Sequence, residues 1–191
     1  AMAIAKRARA LGLRAHVDGA RLWNASAASG RSPAALCAGF DTASVCFSKG
    51  LGAPVGSALV GSRAVVQEAL RFRKRWGGGM RQVGILAAGA LHALRHHRQR
   101  LHEDHDNARA LAERLAEVPG LAVDLARVET NIVNIDLTGA LSAEDFVRRA
   151  EGLGVRVGAS GPQRVRAVTH LDVTRSDCLE AESRLAEAAR R

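Results

Sequence analysis

The feature that most narrows the fold is a pair of short apolar runs, each of which stops at a charged residue. Arg14-Ala-His-Val-Asp18 leads into Gly19-Ala-Arg21, and Ser44-Val-Cys-Phe-Ser-Lys49 leads into Gly50-Leu-Gly-Ala-Pro-Val-Gly56. Runs of this length and content read as strands. The residues between them, 19–43, can hold a crossover helix after a small-residue turn carrying Arg21, so the two strands can lie parallel in one sheet. Ligands of open α/β sheets sit beyond the carboxyl ends of the strands, which would bring Asp18 and Lys49 to one rim. Two plainer readings stay open: a structural Asp18–Lys49 ion pair, and a strand-ending lysine that reaches into solvent.

Lysine occurs only at Lys6, Lys49 and Lys74; the rest of the 28 basic residues are arginine. A lysine that interrupts an apolar run therefore points to amine chemistry. An ammonium can lose its proton when desolvated and attack a carbonyl carbon, whereas a guanidinium stays charged. Gly50 and Gly52 remove side chains beside it, which would let a flat ligand approach the backbone. An amine opposite a carboxylate suits pyridoxal 5'-phosphate, whose aldehyde the amine holds and whose pyridine nitrogen the carboxylate keeps protonated.

Along the rest of the chain, a helix is expected over residues 1–11, and Ser32-Pro33 caps a short helix ahead of a strand over 43–47. Residues 57–60 read as a strand and 63–76 as a helix that ends at Gly77-Gly-Gly79, which lacks the Gly-Lys-Ser/Thr ending of a nucleotide loop. Residues 82–94 read as an apolar helix buried in a domain or between subunits. A long helix over about 95–117 would present His96, His97, His102 and His105 to solvent. Their spacing and the flanking Arg95, Arg98 and Arg100 argue against a metal site. After Gly120, strands are expected over 122–125, 132–137, 155–157 and 165–169. They alternate with a helix from Ser142, capped with Asp145, and a last one from Ser176. In Arg164-Val-Arg-Ala-Val168 the alternation puts Arg164 and Arg166 on one face, where an inward arginine needs an anion; the alternative is an exposed arginine on an edge strand. The domains are expected at 1–95, a partial large domain, and 96–191, a small α/β domain.

The net charge of +9 invites a nucleic-acid reading, but the arginines are interleaved with Asp and Glu, and aromatics are only 3% of the chain with no tyrosine, leaving little to stack on bases. No apolar run is long enough to suggest a membrane span. Cys37, Cys46 and Cys178 are odd in number and widely spaced, which fits a reduced, cytoplasmic setting.

Four motifs carry a family resemblance: His16-Val-Asp-Gly-Ala-Arg-Leu-Trp-Asn-Ala25, Ser48-Lys-Gly-Leu-Gly-Ala-Pro-Val-Gly56, Gly77-Gly-Gly-Met-Arg-Gln82 and Val168-Thr-His-Leu-Asp-Val173. In this order they resemble the low-specificity L-threonine aldolases, a fold-type-I pyridoxal-phosphate family. The resemblance implies the carboxyl-terminal half of the family's large domain, with a mostly parallel sheet, followed by a small carboxyl-terminal α/β domain. It implies that the family's phosphate-binding loop and ring-stacking histidine belong to a part preceding Ala1. It implies Lys49 as the catalytic, cofactor-holding lysine and Asp18 at the pyridine nitrogen. Arg21 would sit by the ring hydroxyl or the substrate carboxylate, Arg81 near the phosphate, and Arg166 on the carboxylate, with Arg164 competing on spacing alone. The implied reaction is cleavage of a small β-hydroxy-α-amino acid, L-threonine or L-allo-threonine, to glycine and acetaldehyde by a homo-oligomer, a dimer or tetramer. Another pyridoxal-phosphate β-eliminating lyase and a non-catalytic fragment are the alternatives.

Overall fold

The computed structural model describes residues 2–190 and divides between Gln99 and Arg100 into two compact units. In the first unit, α1 (Met2–Ala10) passes through Gly12, at φ 69, into β1 (His16–Gly19). The helix start expected at Ala1 lies outside the described residues. There follow α2 (Leu22–Ser29), α3 (Pro33–Cys37), β2 (Thr42–Cys46), β3 (Ser57–Gly61), α4 (Arg63–Arg75) and α5 (Gly84–His96). Ser32 and Ser62 accept the amides of Ala35 and Val65, satisfying donors that a helix start leaves open.

β1 and β2 pair parallel with Asp18 opposite Ser44, and β2 and β3 pair antiparallel with Cys46 opposite Ser57. The sheet is thus mixed, not mostly parallel. Only residues 47–56 join β2 to β3, fewer than the crossover of about a dozen residues that a parallel neighbour needs, so the chain turns straight back. Ala43 and Val45 alternate inward and are buried, while Leu59 and Val60 of β3 stay exposed. The apolar positions of α4, Val66, Leu70 and Phe72, are exposed, as are Ile85 and Leu91 of α5, whose buried residues are Ala90 and Ala93.

The second unit comprises α6 (Leu101–Leu115), β4 (Leu121–Ala122), a 3-10 turn (Leu125–Arg127), β5 (Ile132–Leu137), α7 (Ala143–Gly152), β6 (Gly158–Gly161), β7 (Arg164–Val168) and α8 (Arg175–Arg190). Its sheet runs β4-β5-β7-β6, antiparallel throughout. Val133, Ile135, Val165 and Ala167 point into a core shared with Leu115, Phe146 and Leu185 of the helices. Ser142 accepts the Asp145 amide and donates to its carboxylate, as the capping pattern requires.

Three expectations for this part of the chain change. The long helix expected over 95–117 is shorter and starts later, as α6 at Leu101, with Arg95 and His96 closing α5 instead; Glu103 and Asp104 stand in the first turn of α6, where carboxylates favour a helix start. The strand over 122–125 shrinks to β4, since Asp124 accepts the Ala126 amide and turns the chain. No strand covers 155–157: the Val155 amide closes α7 by donating to the Ala150 carbonyl, with Gly154 at φ 82. The pairing falls instead on Gly158–Gly161, a run with no strand-forming side chains.

Asp104 is fully buried. Its Oδ1 accepts from Arg100 at 3.0 Å and its backbone carbonyl accepts from Thr169 Oγ1 at 2.6 Å. Burial outweighs the attraction of Arg100, His105 and His170 and raises the carboxyl above the ordinary 3.8. The native state therefore binds this proton more readily than the unfolded chain. The resulting stabilisation is full below pH 3.8 and is lost as pH rises through the raised native value. Asp104→Asn, which carries no charge inward, is expected to flatten this fall from about pH 4 upward in urea unfolding; an unchanged slope would assign it to another group.

Candidate functional site

The site in the first unit is built on the carboxyl ends of β1 and β2. Beyond Cys46, the Phe47 amide donates to the Gly56 carbonyl and the Ala53 amide to the Phe47 carbonyl, each at 2.9 Å. Inside that closed loop the Gly52 amide donates to the Lys49 carbonyl at 2.8 Å, with Gly52 at φ 67. Ser48 and Lys49 are exposed, whereas Gly50 and Leu51 are buried. The loop is anchored by its own backbone and by Leu51, and it holds Lys49 out at the strand end.

Asp18 is exposed on the neighbouring strand end. Its Oδ1 accepts from the Ala20 amide at 3.0 Å and from Ser44 Oγ at 3.4 Å, so the carboxylate is oriented from both strands. The next residue has no room for a side chain: a Cβ on Gly19 would stand 2.5 Å from the Ser44 carbonyl oxygen. Arg21, partly buried, takes the cap position of α2 directly after β1. The fold thus puts Asp18, Arg21 and Lys49 at one end of the sheet. This donor set, a primary amine and a pre-oriented carboxylate at parallel strand ends, fits an aromatic aldehyde cofactor such as pyridoxal phosphate.

The glycines beside Lys49 are explained differently from the expectation of a flat ligand. A Cβ on Gly50 would meet Asn24 Oδ1 at 2.6 Å, so this glycine makes room for a buried asparagine of α2. Gly52 serves its left-handed turn. Trp23 of α2 donates from Nε1 to the Cys46 carbonyl at 2.9 Å, and His97, just after α5, places Nδ1 2.6 Å from the Leu51 carbonyl. The sequence reading missed Trp23, Asn24 and His97 as supports. His97 lies in a histidine-rich run that resembles a solvated helix face, and nothing in its spacing points to a carbonyl 46 residues earlier.

Arg81 is exposed in the loop between α4 and α5, next to Gln82, whose φ of 48 makes it the one described non-glycine residue with positive φ. In the second unit β7 is a central strand, not an edge, and Arg164 and Arg166 lie on its exposed face, not inward. Inward places belong to Val165 and Ala167, because the apolar side of the alternation faces the helices. The Arg164 fork is spent on Asp136, at 2.6 and 2.9 Å, and holds that carboxyl below its ordinary range. Arg166 lies opposite Asn134 and Gly158 and makes no ion pair among the described residues. His92 packs against the rings of His96 and His97 at 4.4 and 5.3 Å. Among the described residues no group of three or more His, Cys, Asp or Glu could hold a metal, and no helix is long and apolar enough to cross a membrane.

Residues 1–138 match the family model described as beta-eliminating lyase. Low-specificity L-threonine aldolase 1 of Arabidopsis thaliana is 44% identical over 168 residues, 87% of this chain and 47% of that protein. The low specificity L-threonine aldolase of Escherichia coli (strain K12) is 44% identical over 165 residues, 86% of this chain and 48% of its own length. The chain spans about half the length of these curated relatives. Among solved structures, a candidate L-allo-threonine aldolase of Listeria monocytogenes EGD-E superposes with a TM-score of 0.78 at 22% identity, over 98% of this chain and 54% of that one. Thermus thermophilus LysN, an α-aminoadipate aminotransferase complexed with N-(5'-phosphopyridoxyl)-L-leucine, gives 0.73 at 18% identity, over 98% and 53%.

Proposed function

We propose, from the premise that this chain belongs to the beta-eliminating lyase family, that it carries the lysine, ring carboxylate and substrate arginine of a pyridoxal-phosphate-dependent lyase. The reaction is cleavage of L-threonine or L-allo-threonine to glycine and acetaldehyde. The observation that carries this reading is the parallel pairing of β1 with β2, with Asp18 near the carboxyl end of β1 and Lys49 three residues beyond the end of β2. The identity to two L-threonine aldolases supports the substrate class.

In this reading Lys49 holds the cofactor through its amine, Asp18 lies by the pyridine nitrogen, Arg81 by the phosphate, and Arg21 by the ring hydroxyl or the substrate carboxylate. Bound there, pyridoxal phosphate supplies a sink for the electron pair released at Cα. The β-hydroxyl loses its proton, a carbonyl forms at Cβ, the Cα–Cβ bond breaks, and Cα takes up a proton to give glycine. In this reading the Lys49 amine can also hold or return a proton. The reading assigns Arg166, by its match to the family, to the substrate α-carboxylate, for which a planar guanidinium fork is suited.

Product analysis with the complete protein tests the reaction. Glycine and acetaldehyde from L-threonine support it; a 2-oxo acid and ammonia from the same substrate would instead assign β-elimination, the second reading that the family model favours. Arg166→Ala is expected to raise KM for L-threonine about tenfold or more, the cost of a lost charge-assisted pair. Arg164→Ala should stay within about twofold because its fork is already engaged with Asp136. The reverse order in steady-state kinetics would move the carboxylate site to Arg164.

A homo-oligomer belongs to the same reading. Ile85, Trp76 and Ile4 are 85%, 77% and 73% exposed, and apolar side chains so open to water favour association. Sedimentation velocity at micromolar concentration should show more than one copy per particle; a monomer would remove this part of the proposal.

A further inference from the structure

We propose that His97 is a positioning residue for Lys49. The inference rests on the reading of Lys49 as the reactive amine. The Leu51 carbonyl can only accept, so the proton of the 2.6 Å contact sits on His97 Nδ1. Nδ1 is thereby the donor, and a side chain from the end of α5 grips the backbone two residues beyond the lysine. The grip adds a side-chain contact to a turn otherwise held by its own backbone bonds and the buried Leu51: Lys49 is itself exposed, and the turn is closed by the Gly52 amide on the Lys49 carbonyl.

The neighbouring residue reinforces the same element from its other side. The Arg98 guanidinium lies over the Trp23 ring at 5.0 Å, and Trp23 donates to the Cys46 carbonyl, at the end of the strand that delivers the loop. Two successive residues after α5 therefore reach both the incoming strand, through Trp23, and the outgoing turn, through Leu51. Asn24 fills the third side against Gly50. Such a clamp restricts where the Lys49 amine can go without touching it, and preorganisation of this kind is what holds a reacting group within reach of its target.

The test uses the complete protein with His97→Phe, which keeps a ring but has no donor, and His97→Gln, which keeps a donor. His97→Leu replaces the phenylalanine variant should that not fold. Without cofactor, amide exchange of residues 50–53 is expected to quicken about tenfold in His97→Phe and to return near wild type in His97→Gln. With pyridoxal phosphate, borohydride trapping at Lys49 should slow about tenfold in the first variant only, with kcat falling and KM for the amino acid moving less than about twofold. Unchanged exchange and trapping in His97→Phe, with the wild-type label on Lys49, would overturn the role of His97 alone. A wild-type label on Lys6 or Lys74 would overturn the Lys49 reading itself.

Discussion

Lys49→Ala in the complete protein is expected to lower turnover by about a thousandfold or more, near the upper range for removing a proton-moving group, while the fold stays intact. The fold should survive because Lys49 is exposed and its loop is held by neighbours: the Phe47 and Ala53 amides, the buried Leu51 and the His97 contact. Lys49→Arg separates charge from chemistry. It keeps the positive charge at the strand end but cannot attach an aldehyde, so it should lose as much as the alanine variant. Turnover, circular dichroism and a borohydride label mapped to Lys49 in the wild type are the measurements. An arginine variant within about tenfold of wild type would show that the position works through charge and not through amine chemistry.

Asp18→Asn is the second large effect, expected at about a hundredfold or more in turnover, roughly 2.7 kcal/mol of barrier. The substitution is conservative in shape. An asparagine Oδ1 can keep accepting from the Ala20 amide and Ser44 Oγ, so the two bonds that orient the carboxylate need not change. What disappears is the negative charge that would hold a proton on the ring nitrogen. Attachment to Lys49 should therefore persist while the bond-breaking step slows. Absorbance of the loaded protein follows the first, and single-turnover kinetics the second. A turnover close to wild type would mean that another group supports the ring.

Local residues announced much of this arrangement. Ser32-Pro33 and Ser142 with Asp145 mark helix starts because a cap is a short-range device. The strands at Asp18 and at residues 43–47 were legible because each is an apolar run that ends in a charge. The direction of β3 was not, since it depends on the shortness of the connection after Lys49. The strand at Gly158–Gly161 had no side-chain pattern to announce it; it pairs because β7 offers a backbone edge there. Alternation sorts Arg164 and Arg166 onto one face of β7 but cannot say which face the helices cover, so an inward and an exposed arginine both stay open until the sheet forms. Arg164 and its Asp136 partner are 28 residues apart, and Asn24 and Gly50 come from different elements. Such long-range contacts arise only once the sheets form.

The placement of β7 between β5 and β6 has a consequence for the arginine it carries. Val165 and Ala167 are buried while Arg164, Arg166 and Val168 are exposed. Sliding β7 by one residue would drive Arg166 into the layer of Phe146 and Leu185 and carry Val165 and Ala167 out to water. Burying an unpaired guanidinium there would cost several kcal/mol, so the hydrophobic core acts as a proofreader of Arg166. The irregularity between β6 and β7, at Ala159 and Gly161, falls on the β6 side, where it absorbs error without disturbing the β5 register. Selection for packing would then preserve the face on which Arg166 stands.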